Sequence, residues 1–79
     1  MRPMSATQLK ALRELAVGDF VRPRNQWDWR AMSGALFPLN VVSALRKRGL
    51  ATLYVGKQRM RVAITNVGRR YLAEAINAP

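Results

Sequence analysis

Arg30, Arg46, Lys47, Arg48, Lys57, Arg59, Arg61, Arg69 and Arg70 lie between Trp29 and Ala73, a stretch with no acidic residue. Cations at that density suit phosphate oxygens, because each donor is charged and the arginine fork can bind a phosphate through two parallel hydrogen bonds. The whole chain of 79 residues carries 14 lysines and arginines against four acids, a formal net charge of +10. A surface of one sign repels itself until it meets a polyanion, so nucleic acid is the expected partner. The alternative is arginine that merely solvates the surface, but solvated faces ordinarily mix signs.

Other chemistry is poorly supplied. With no histidine and no cysteine, the chain lacks the usual general base, the usual metal ligand, a thiolate zinc site and any disulfide. Glu14, Asp19, Asp28 and Glu74 are scattered, with no pair spaced for acid–base catalysis. The expectation is no enzyme, no metal and no cofactor. Residues 1–79 read as one domain with a thin core, which leaves no room for a ligand-sensing domain, so no small-molecule ligand is expected either. Apolar runs stop far short of the roughly 20 residues that span a bilayer. Met1–Ser5 leads into Gln8, Lys10, Arg13 and Glu14 rather than the apolar run of a signal peptide. These features place the protein in the cytoplasm, associated with the nucleoid, with no membrane contact.

The cations need elements to hold them. Ser5-Ala6-Thr7-Gln8 has the form of a capping box, and Leu9, Leu12, Leu15 and Ala16 follow at helical spacing, so a helix is expected over 6–17 with Gly18 closing its last turn. Phe20-Val21-Arg22 suits a short strand ahead of Pro23. A second short helix, capped by Asn25 and containing Trp27, Trp29, Arg30 and Met32, is expected next, although Ser33-Gly34 interrupts it. Pro38 suits the first turn of a helix over 38–48, with Val41, Val42 and Leu45 as its buried stripe and Gly49 as its stop. Ala51 to Ile64 alternates on both sides of Gly56-Lys57-Gln58, the pattern of a β-hairpin with Leu53, Val55, Met60, Val62 and Ile64 facing inward. Thr65 is then placed to cap a last helix whose apolar positions are Val67, Tyr71, Leu72, Ala75 and Ile76.

In two places the sequence resembles the MarR-like and related bacterial or phage winged-helix regulators. Val41-x-x-x-Leu45-x-x-x-Gly49-Leu50-Ala51 looks like the end of their recognition helix, and Ile64-Thr65-Asn66-Val67-Gly68-Arg69 looks like the "LT-x-x-G-R" start of the helix after the wing. The resemblance covers about residues 30 to 72, and Asp19 to Phe37 departs from it by giving no clear second helix. It implies an α+β winged helix, with a three-helix helix-turn-helix core, a β-hairpin wing and a C-terminal helix. It also implies double-stranded DNA as the partner and transcription regulation as the role, with helix 38–48 in the major groove and wing 56–61 on the backbone.

The residue types agree with that assignment. Asn40 can offer its amide to an adenine edge, Ser43 suits base or phosphate, and Arg46 or Lys47 reaches guanine or phosphate, with Leu39 completing the helix surface. Lys57, Gln58, Arg59 and Arg61 supply the wing, and Arg69 with Arg70 is placed to clamp the same backbone. Each has a plainer alternative. Asn40 and Ser43 also suit a solvent face, Arg48 the negative end of its helix, and Arg59 with Arg61 the protection of an edge strand. Two half-sites multiply specificity, so a homodimer is expected, with Trp27, Trp29, Tyr71 and Ile76 as contacts. Two tryptophans two apart on a helix cannot both face the core. Core packing and base stacking are the other roles open to them. Two further functions fit the same charge, a phage- or mobile-element-encoded inhibitor or adaptor and an RNA-binding factor.

Overall fold

Ser5 accepts a hydrogen bond from the Gln8 amide at 3.1 Å while Gln8 Oε1 accepts from the Ser5 amide at 3.3 Å, so the capping box opens helix α1, Ala6–Val17. In this computed structural model, residues 4–23 and 25–77 are described, with side chains through residue 75. After α1 come β1 (Phe20–Pro23), β2 (Trp29–Arg30), β3 (Leu36–Phe37), α2 (Leu39–Lys47), β4 (Ala51–Val55), β5 (Arg59–Ile64) and α3 (Asn66–Asn77). The architecture is α+β, three helices on an antiparallel sheet of five strands in the order β3-β2-β1-β5-β4. None of these helices is long and apolar enough to cross a membrane.

The expected boundaries hold for α1 and move by one residue for α2, where Pro38 is the N-cap and not the first helical residue. Gly18 does end α1, but in extended backbone, donating its amide to the Glu14 carbonyl instead of adopting a left-handed cap. The helix expected around Trp27–Met32 is absent. Trp29 pairs with Phe37 and Arg30 with Leu36, so β2 and β3 form a hairpin whose turn is closed by Ala31 N–H to the Ala35 carbonyl at 2.8 Å. Ser33 at that turn donates to Glu14 Oε2 at 2.7 Å, tying it to α1. The three-helix helix-turn-helix core is therefore corrected: a two-stranded hairpin, not a helix, precedes α2.

Strand alternation divides the sheet into two faces. Phe37, Trp29, Phe20, Val62 and Leu53 point to the helices, where they meet Ala11, Leu12 and Leu15 of α1, Val41, Val42 and Leu45 of α2, and Leu72 of α3. Phe20 and Phe37 stack with ring centroids 5.2 Å apart, which links β1 to the edge strand across Trp29's strand. β1 sits at the centre because its register pairs Phe20 with Val62 on one side and Val21 with Arg30 on the other. Val55, expected to face the core, is 65% exposed because it lies at the hairpin end, beyond the reach of the helices. Val67 of α3 is likewise exposed.

The junctions around the β4–β5 hairpin explain both sequence motifs. Gly49, with φ +76°, and Leu50 close α2 in a Schellman motif: Leu50 N–H donates to the Leu45 carbonyl and Gly49 N–H to the Arg46 carbonyl, each at 3.0 Å. At the far end of the hairpin, Thr65 Oγ1 accepts from the Gly68 amide at 3.0 Å, capping α3, and donates to the Gly49 carbonyl at 2.7 Å. Thr65 N–H also donates to the Leu50 carbonyl at 3.1 Å. Gly68 is needed for closeness, since a Cβ there would stand 2.3 Å from that same Leu50 oxygen.

Three substitutions test this clasp. Gly68→Ala drives a methyl into fixed backbone and is expected to cost about 1–3 kcal/mol; Gly49→Ala, strained by its left-handed backbone, about 1–2 kcal/mol. Urea denaturation followed by far-UV circular dichroism measures both, and wild-type midpoints would show that the clasp contributes nothing. Thr65→Val keeps the shape but loses two hydrogen bonds, so a loss of about 1–2 kcal/mol in the same titration is expected.

Candidate nucleic-acid interface

α2 presents one face to the core and the other to solvent. Val41, Val42 and Leu45 are buried, which fixes the rotation of the helix, and Asn40, Arg46 and Lys47 are exposed with Ser43 and Leu39 half-buried beside them. Ser43, Arg46 and Lys47 border a shallow hollow of about 280 Å³. Arg46 and Lys47 occupy the last turn, where the partial negative charge of the helix end favours them without cancelling their charge toward solvent. Arg48 is the C-cap, half-buried, with its Nη1 shielded from solvent and without a hydrogen-bond partner among the described residues.

The wing cations divide. Lys57, Gln58 and Arg59 are exposed at the hairpin tip. Arg61 is held by Asp19, with Nε 3.2 Å from Oδ2, and its guanidinium lies 4.9 Å from the centre of the Tyr54 ring. That is the single ion pair among the described residues, so Arg61 offers less free charge than Lys57 or Arg59. Arg59 and Arg61 do not protect an edge: β5 is flanked by β1 and β4 on its two sides. Arg69 and Arg70 are exposed on the first turns of α3.

Alternation also assigns the wing arginines to a face. Met60 and Val62 point toward the helices, so Arg59 and Arg61 project from the opposite, open face of the sheet. There they join Arg30, a position that a helix over Trp27–Met32 does not give it. Strand pairing sets Leu36, Arg30, Val21, Arg61 and Tyr54 in one row across all five strands. Leu36 is 57% and Tyr54 50% exposed, and no described helix covers the row. The signal that would have found Arg30 is the inward Trp29 followed by an outward cation, two residues of strand alternation.

The expected dimer contacts are also rearranged. Trp29 is 2% exposed, opposite Phe37 and beneath the Arg22 guanidinium at 5.2 Å, so it is a core residue and is withdrawn as a contact. Its indole Nε1 has no hydrogen-bond partner among the described residues. Trp27 is 76% exposed and Tyr71 half-buried, while the side chain of Ile76 lies outside the described residues. No protein-family model, no curated protein and no solved structure matches this chain, so its resemblance to the winged-helix regulators stands on its sequence motifs alone.

Proposed function

We propose that the protein is a double-stranded DNA-binding transcriptional regulator of the winged-helix type, with α2 in the major groove and the hairpin tip on the backbone. The observation that carries this reading is the solvent face of α2. Asn40, Ser43, Arg46 and Lys47 stand together there with no acid among them, on a helix locked by three buried residues on its other side. A helix fits the major groove, and amide, hydroxyl and guanidinium groups are the ones that read base edges and phosphates there.

The order helix, three strands, helix, hairpin, helix, with β1 in the same sheet as the β4–β5 hairpin, supports the winged-helix assignment. The β2–β3 hairpin stands where the resembled family has its second helix. It supports the N-terminus of α2 in that helix's place, because Phe37 is buried one residue before the Pro38 cap. The clasp at Gly49, Leu50, Thr65 and Gly68 fixes the base of the wing to the end of α2, so the two contact elements meet DNA as one unit. The protein acts as a homodimer on paired half-sites, with Tyr71 and Ile76 as the candidate contacts, in the cytoplasm on the nucleoid.

Selection of bound duplexes from a random pool tests the whole reading. A palindromic motif with half-sites about one helical turn apart is expected, and no enrichment above the starting pool would refute sequence-specific binding. Asn40→Ala is expected to relax preference at one base position of that motif by about 1–3 kcal/mol, measured by competition among single-base variants. A loss equal for every variant would remove Asn40 from base reading. Replacing Arg46 and Lys47 together by Ala is expected to flatten the slope of log affinity against log salt by about 2. Fluorescence anisotropy at several salt concentrations measures it, and an unchanged slope would take this face of α2 off the phosphates.

A further inference from the structure

The open face of the sheet, on the side away from the core-packed helices, holds a cleft of about 350 Å³ lined by Val21, Pro23, Gln26, Arg30, Gln58 and Arg59. β1 supplies an apolar floor through Val21 and Pro23, while Arg30 comes from β2 on one side and Arg59 from β5 on the other. Neither guanidinium has an ion-pair partner among the described residues, whereas neighbouring Arg61 is committed to Asp19. Two free guanidiniums and two amide side chains around an apolar floor form a cradle for an anion that carries apolar or aromatic groups with it.

The aromatic groups beside the cleft narrow the ligand. Trp27 follows the cleft residue Gln26 in the chain and is 76% exposed, a costly place for an indole. Tyr54, half-exposed, ends the row that runs through Arg30, Val21 and Arg61. At about 4.8 Å per strand spacing, the row from Leu36 to Tyr54 is about 19 Å long, room for a few nucleotides. Bases stack on aromatic faces and guanidinium planes in a sequence-tolerant way, with the backbone following the positive groove. A duplex hides its base faces and so makes no use of Trp27 or Tyr54.

We infer that this face binds single-stranded DNA, with a backbone phosphate between Arg30 and Arg59 and a base stacked on Trp27. The choice of DNA over RNA rests on the duplex-DNA reading of α2; the single-strand site itself rests on the cleft and the exposed aromatics. The acids Asp19 and Asp28 limit the site: the first already neutralises Arg61, and the second is exposed next to Trp27. Among the described residues that line the cleft, the binding charge is therefore that of Arg30 and Arg59.

The test uses the full chain and a fluorescein-labelled oligothymidylate of about 15 nucleotides, within the range of single-strand site sizes. Arg30→Thr keeps a strand-favouring residue at an exposed position and is expected to weaken binding about tenfold and lower the salt slope by about 0.7. Lys10→Ala, which removes an exposed cation of α1, is expected to leave both nearly unchanged. Equal losses in the two variants would mean diffuse attraction and overturn the site. Tryptophan emission gives a second readout, because Trp29 is buried and Trp27 is not. Emission is expected to quench on binding, and Trp27→Phe to abolish the quench and weaken binding about fivefold; an unquenched complex overturns the stacking. If the Arg46 and Lys47 double variant loses the oligothymidylate as fully as Arg30→Thr does, the strand lies on α2 and the cleft inference falls. If Arg30→Thr is selective but the random-duplex selection fails, the α2 reading falls and the cleft stands. Oligouridylate binding more tightly than oligothymidylate overturns the assignment to DNA.

Discussion

The chain's architecture depends on one close backbone approach, that of Gly68 to the Leu50 carbonyl. Leu50 leaves α2 and Gly68 lies in the first turn of α3, so the whole β4–β5 hairpin lies between them. Closing that loop at its base fixes where the hairpin starts and ends, and the Thr65 hydroxyl satisfies one polar group on each side of the junction. A side chain larger than hydrogen at residue 68 would push α3 away from the end of α2. The cost would be felt at Leu72, the buried residue by which α3 joins the core. The two motifs that look separate in the sequence are thus the two halves of one contact.

With the hairpin fixed, the sheet separates two chemistries by strand alternation alone. β5 carries Met60 and Val62 inward and Arg59 and Arg61 outward, and β1 and β2 repeat the division with Phe20 and Trp29 inward and Val21 and Arg30 outward. Small domains bury a limited share of their surface, and this chain places Phe20, Phe37 and Trp29 in the core on the inner face. Trp29 brings a cost, an indole N–H buried without a partner among the described residues. The Arg22 guanidinium above its ring recovers part of that cost through the ring's negative face.

Much of this was legible in the sequence, and what was missed has a definite cause. The capping box, the Val41, Val42 and Leu45 stripe, the alternation from Ala51 to Ile64 and the Thr65 cap are local signals, and each is realised where its residues stand. The segment from Asn25 to Phe37 was misread because β2 and β3 are two residues each. Two residues give no period, and Trp29 with Met32 imitates helical spacing. Their pairing is set by partners distant in sequence, Val21 and the core under Phe37, which no local pattern records. The same miss hid Arg30 from the candidate site, since its place beside Arg59 exists only once β1 lies between them. The Asp19–Arg61 pair was hidden for the same reason.

The distribution of free charge then separates the two proposed surfaces by what each could recognise. On α2 the cations accompany an amide and a hydroxyl on one helix face, the groups suited to the groove edges and phosphates of the paired helix proposed as its partner. On the open face the cations flank an apolar floor and two exposed rings, groups that gain only from bases free to leave a stack. Asp19 sharpens the contrast. By holding Arg61 against Tyr54 it removes charge from the middle of the row and leaves it at Arg30 and Arg59, where the cleft is. A surface built only for diffuse attraction gains nothing from an acid in its centre; one that grips a phosphate at a defined point gains position from it.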